Sequence, residues 1–149
     1  MSAEEAKVPE PVKPAPVAAK PNVPISKWLP IVILAWAIPG AGHVYLKRPY
    51  RGALVGASTI LCFLLGLMMR GAFFEPKTGE LLVTLIHVGG YVADFMTGLP
   101  YLLANWLGYN QPDVAGHVHD YGTKFLVAAG LLNILAIVDA WEIITGEKD

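Results

Sequence analysis

His87, Tyr91, Asp94, Gly98, Tyr101 and Asn105 recur at steps of four, three, four, three and four. On a continuous helix that spacing puts all six on one stripe. They sit in a stretch, 81–109, that carries one formal charge, Asp94, in 29 residues. An unpaired carboxylate deep in lipid costs about 2.5 kcal/mol or more, so such a stripe must turn inward. His87 and Asp94 are two turns apart, roughly 10 Å along the axis. That is too far to pair directly, but they can bracket one polar feature. Two kinds of chemistry fit: a path for protons or a small solute, or hydrogen bonds between helices that fix helix rotation.

Asp139 and Glu142, three apart, share a face of the last apolar stretch. Two close carboxylates suit acid–base work. No nucleophile, metal set or substrate cradle accompanies them, so the expectation is a protein that is not an enzyme. Arg70 is their expected ion-pair partner, because four crossings would place it on the same membrane face as Glu142. His117-Val118-His119-Asp120, with Asp113 upstream, comes nearest to a metal cluster. Alternate residues share a face only in extended chain, and a solvated interfacial loop is the expected form. Neither a metal nor a cofactor is expected.

The elements that must position these groups follow from composition. The chain has 149 residues, 54% hydrophobic and 15% charged, against roughly 25% charged in an ordinary soluble domain. A small protein has too much surface per volume to fold in water with so few polar residues. A disordered chain would be polar and highly charged. The net charge of −1 shows no basic excess for nucleic acid. The single cysteine, Cys62, makes no internal disulfide and reads as a small apolar packer. The class that remains is an all-α, integral membrane bundle of about four transmembrane helices.

Four apolar stretches supply it: 28–46, 52–69, 81–97 with a kinked extension to 109, and 125–144. The stretch 52–69 has 18 residues without a charge between Arg51 and Arg70, whose stems can snorkel to the headgroups. Pro39-Gly40 interrupts the first stretch, so it either spans or is re-entrant. Gly98-Leu99-Pro100 marks a kink in the third. Residues 1–27 are rich in Pro, Lys and Ala and read as a disordered tail with no secretory h-region. The domain proper is then 28–149. The Lys47–Arg51 loop carries three cations in five residues, which favours a cytoplasmic first loop. Four crossings would then leave the amino tail outside, against the pull of Lys20 and Lys27. Gly52 and Gly56, backed by Ala53 and Ala57, form a small-residue face for close helix packing, within the monomer or between copies.

The densest local motif is Pro39-Gly40-Ala41-Gly42-His43-Val44-Tyr45-Leu46-Lys47-Arg48, followed by Arg51. Its glycines let the backbone bend and let a helix approach. Tyr45 suits the interface, and Arg48 and Arg51 suit phosphate headgroups. The motif reads as a structural hairpin turn or as a headgroup or partner site. It resembles the Gly-x-Gly-His-x-Tyr-Leu-Gly-Arg hairpin of two-transmembrane-helix domain proteins. It is more similar still to an uncharacterised bacterial family of small multi-pass membrane proteins with a Pro-Gly-x-Gly-His-x-Tyr-Leu hairpin. The last helix, with Gly130-Leu131-Leu132-Asn133 and then Asp139, resembles that family too. Lys47 stands where the related motif has glycine. The resemblance, over residues 30–145, implies a bacterial inner-membrane location and no known activity. Asn133 joins His87, Asp94, Asp139 and Glu142 as the intramembrane polar set. The expected function is a non-catalytic structural or accessory subunit held in the lipid bilayer, with protein partners met through small-residue faces. A small-solute or proton conduit is the alternative.

Overall fold

The computed structural model describes residues 23–112 and 116–147, and every regular element among them is helical. Most of the expected tail, and Asp113, lie outside the described residues. The first helix, α1 (Ile25–Ala37), begins within the stretch read as tail. It ends because Ile38, which precedes Pro39, is pushed to extended backbone. Gly40 then turns with φ +83°, and α2 (Ala41–Tyr45) follows. The third helix, α3 (Pro49–Met68), takes Pro49 in its first turn, where no backbone donor is lost. Next come α4 (Leu81–Met96) and α5 (Leu99–Trp106), bent by 100° at Thr97-Gly98. Gly98, at φ 82° and ψ −136°, adopts a backbone that only glycine takes readily. The last helix, α6 (His117–Ile144), runs 28 residues.

Helices α3 and α6 are long and apolar enough to cross a membrane, and the α4–α5 pair passes the same test only as a bent unit. With 13 residues, α1 reaches about 20 Å, short of the ~30 Å hydrocarbon thickness. All four apolar stretches are therefore helical, but two are interrupted.

Close contacts fix how these elements run. Gly66 packs on Leu126, and Gly71 meets Gly122, so the end of α3 lies beside the start of α6. The two crossing helices are antiparallel. Helix α4 runs alongside α6, with Ala93 against Gly130 and Met96 bonded to Asn133. After the bend, Tyr101 and Ala104 join a core with Phe63, Leu126 and Ala129. Tyr109 then donates its hydroxyl to the Gly71 carbonyl at 2.8 Å. Burial there raises the Tyr109 phenol above its ordinary pKa. The α4–α5 pair thus enters and leaves at the His117 end of α6.

The α1–α2 pair mirrors this from the Ile144 end. Ile33 and Ile137 line one groove, Trp36 is bonded to Asn133, and Gly42 approaches Ala140. From Pro39 and Gly40, packed on Gly56 and Gly52, the chain returns to the start of α3. Lys27 and the Lys47–Arg51 loop consequently share one end of the bundle. For Lys27 the conflict with a cytoplasmic first loop arose from counting α1 as a crossing, whereas Lys20 lies outside the described residues.

Candidate functional site

The two broken pairs meet near the middle of α6, and Asn133 sits at the junction. A break leaves carbonyls without helical partners, and irregular backbone at membrane depth persists only where protein or water satisfies it. Asn133, fully buried, meets that need twice. Its side-chain amide donates to the Trp36 carbonyl at 3.1 Å and to the Met96 carbonyl at 2.8 Å. One side chain therefore ties the end of α1 to the end of α4. Trp36 strengthens the link by donating its indole N–H to the Phe95 carbonyl at 3.1 Å, with ring centroids 5.2 Å apart. A Cβ on Gly98 would overlap the Trp36 carbonyl, so the absence of a side chain there lets the two pairs touch.

Toward the His117 end, Asp94 is 1% exposed and accepts the Phe74 N–H through Oδ2 at 2.7 Å. His87 meets the same Phe74 ring edge-on at 5.9 Å and bonds the Val83 carbonyl through Nδ1 at 3.0 Å. In place of the expected polar feature, His87 and Asp94 both meet the loop residue Phe74, one at its apolar ring and the other at its backbone N–H. Its ring lies on Gly90, where a Cβ would collide with it. The expected single stripe does not persist, since the 100° bend separates His87, Tyr91 and Asp94 from Tyr101 and Asn105. Tyr91, Tyr101 and Asn105 still line one groove, because the pair folds back on itself.

Toward the Ile144 end, His43 is 1% exposed, and its Nε2 lies 2.8 Å from Asp139 Oδ2. The hairpin motif therefore directs His43 inward to α6 while Tyr45 and Arg51 face outward. Pro39 and Gly40 form the apex, and Gly42 lies against Ala35. Lys47 takes φ +61°, the left-handed backbone that glycine would favour. It closes α2 as glycine does in many helix ends, with the Arg48 N–H reaching back to the His43 carbonyl at 2.8 Å. Arg48, half-buried, stands at the N-terminal boundary of α3 without a side-chain capping bond.

Two sequence expectations need correction. Arg70 does not share an end with Asp139 or Glu142. It follows α3 at the Gly122 level of α6, and Asp139 lies seventeen residues further along, about 25 Å at 1.5 Å per residue. The α4–α5 pair returns to the end of the bundle it left, with Tyr109 bonded to Gly71, so Arg70 and Glu142 lie at opposite ends of α6. The His117-Val118-His119-Asp120 segment is the first turn of α6 rather than a loop. Its histidines are two apart on a helix and point to different sides, and no group of three or more His, Cys, Asp or Glu among the described residues could hold a metal. Of the two alternatives open for Gly52 and Gly56, both glycines pack within the monomer against the Pro39-Gly40 apex, leaving Ala53 and Ala57 exposed. Glu142 is half-buried near the end of α6, and Cys62 packs beside the Phe63–Leu126 core.

Sequence reasoning missed Trp36 and Phe74. Trp36 carried a signal, standing three residues before a Pro-Gly break in an apolar stretch. Phe74 lies in a loop without periodicity and carried none.

These elements define a class: an all-helical membrane protein in which two helices long and apolar enough to cross a bilayer, α3 and α6, shelter two broken pairs. A family model matches residues 30–149, and the chain belongs to that family, a family of unknown function (DUF6677). No match emerges among curated proteins or among solved structures. The matched residues take in both breaks, the His43–Asp139 pair and the Asn133 junction.

Proposed function

We propose that the chain is a non-catalytic structural or accessory subunit of a bacterial inner membrane, working through packing rather than turnover. The observation that carries this reading is how the intramembrane polar groups are used. Asn133 joins the two broken pairs, Asp94 holds the Phe74 backbone, and His43 joins the apex of the first pair to Asp139 on α6. Each of these links stabilises the chain's own architecture.

The outer surface supplies the means of association. A shallow groove of about 670 Å³ runs between the α1–α2 apex and α3, walled by Leu34, Ile38 and Val44 and floored by Ala53 and Ala57. Small residues at i and i+4 on an exposed helix face admit close approach of another transmembrane helix. Gentle detergent extraction from native membranes, followed by chemical cross-linking and sizing, tests the reading. A defined partner should co-purify with the wild type and be lost on Ala57→Trp. A stable lone monomer would overturn it.

A further inference from the structure

Five polar side chains are buried at 1% exposure or less among the described residues: His43, Thr59, Asp94, Thr97 and Asn133. Every one of them keeps an atom without a hydrogen bond to the protein: His43 Nδ1, Thr59 Oγ1, Asp94 Oδ1, Thr97 Oγ1 and Asn133 Oδ1. In folded proteins the large majority of buried side-chain polar atoms find a partner, protein or ordered water. Here five of the eight side-chain polar atoms on these residues lack a protein partner, while His43, Asp94 and Asn133 are each bonded through their other atom, and in a hydrocarbon surround the cost is high.

The five are ordered along the bundle. Asp94 and Thr97 flank Met96, whose carbonyl is bonded to Asn133. Thr59 lies on α3 between Gly56, which meets Pro39, and Gly66, which meets Leu126. His43 follows at the level of Asp139, six residues beyond Asn133 on α6, about 9 Å further on. Both ends of this line approach the surface. Asp139 is 26% exposed. At the other end a polar vestibule of about 180 Å³ has His87, Asn110 and Thr123 in its wall together with Phe74, whose N–H holds Asp94.

We propose that these five side chains hold a single file of internal water that relays protons between the His117 end and the Ile144 end of α6. Water meets the chemistry of the free atoms, since it donates to the carboxylate, amide and hydroxyl oxygens and accepts from or donates to the imidazole nitrogen. The transported species is the proton, handed along hydrogen bonds with no bond to a larger solute made or broken. A wider bore is opposed by the backbone contacts of Gly98 with Trp36 and of Gly130 with Ala93. Around the line, the titratable groups facing it are Tyr91 and Tyr101 near Asp94, His87 across Phe74, and Asp139 against His43. This activity is separate from partner binding and belongs to the chain alone.

The test is proton flux into vesicles of phosphatidylethanolamine and phosphatidylglycerol. Purified full-length chain is reconstituted with an internal pH dye, and a potassium diffusion potential provides the drive. Wild type should acidify the lumen faster than protein-free vesicles. Thr59→Val/Thr97→Val, which removes two hydroxyls at nearly constant shape, should fall to the protein-free level, whereas Thr59→Ser/Thr97→Ser should keep the flux. If the valine pair fails to stay monodisperse, Asp94→Asn replaces it, with the same loss expected. Phe74→Ala, which widens the vestibule and keeps the backbone bond, should raise the rate. Wild-type flux equal to that of protein-free vesicles would overturn the proposal, and so would flux unchanged in the valine pair or in Asp94→Asn.

Discussion

Replacing Asn133 by leucine isolates the clamp that holds the two broken pairs together. The side chains are close in volume, so little cavity is created, and what is removed is a donor to two carbonyls at 2.8 and 3.1 Å. Hydrogen bonds between membrane helices average about 0.6 kcal/mol and reach about 1.7. The larger cost lies in the groups left behind, since a buried acceptor stripped of its partner loses roughly 1–3 kcal/mol. Trp36 and Met96 would both be stripped, and both terminate a helix at mid-depth. The expected loss is about 2–4 kcal/mol, the lower figure applying where the breaks relax together. Reversible unfolding in mixed micelles of increasing SDS fraction measures it. Asn133→Ala should cost more than leucine, because a cavity adds to the lost bonds. A second readout is local: with Trp28, Trp106 and Trp141 changed to phenylalanine, Trp36 emission should shift in the leucine variant. If Asn133→Leu lies within about 0.5 kcal/mol of wild type, the scale of an ordinary surface change, the junction is held by something else.

The neighbouring glycines of α4 should respond in opposite ways. Gly89 has open space and Gly90 has the Phe74 ring, so Gly89→Ala should stabilise by up to about 1 kcal/mol and Gly90→Ala should destabilise in the same micelle assay. Gly98→Ala should be worse than either, because it combines φ +82° with overlap on the Trp36 carbonyl; a variant as stable as wild type would show that the pairs do not touch there. A double-mutant cycle on His43→Phe and Asp139→Asn should give a coupling of about 1 kcal/mol, and strict additivity would deny the pair. Topology is open to impermeant maleimide labelling in a Cys62→Ala background. Cysteines at Ser26 and Lys47 should label from one face and a cysteine at Lys77 from the other, whereas a four-crossing chain would separate Ser26 from Lys47.

What the sequence disclosed was local chemistry. The all-helical membrane class follows from too few charges to cover a soluble surface, and the span of α3 from its arginine brackets. Both breaks are written in side-chain type, because Pro39 pushes Ile38 out of helix and Gly98 admits a backbone closed to other residues. Depth was not written. Apolar composition reports that a stretch lies in lipid, not whether it emerges on the far side. The decision rests on contacts such as Asn133 with Trp36, 97 residues apart, and Gly130 with Ala93. The seven-residue spacing of His87 and Asp94 was visible, yet the object between them came from an aperiodic loop. Arg70 was misplaced by the same missing information, since its expected partners depended on how often the chain crosses.

The Asn133 junction also dictates an order of assembly. Helix α1 leaves the ribosome first and α6 last, yet the Trp36 carbonyl finds its donor only when residue 133 has been made. Until then the opening third of the polypeptide has a severed helix and no means of burying its cut end in oil. The amino-terminal pair is therefore slotted in after synthesis of the carboxy-terminal helix, and a nascent chain halted before that point would leave it stranded at the surface.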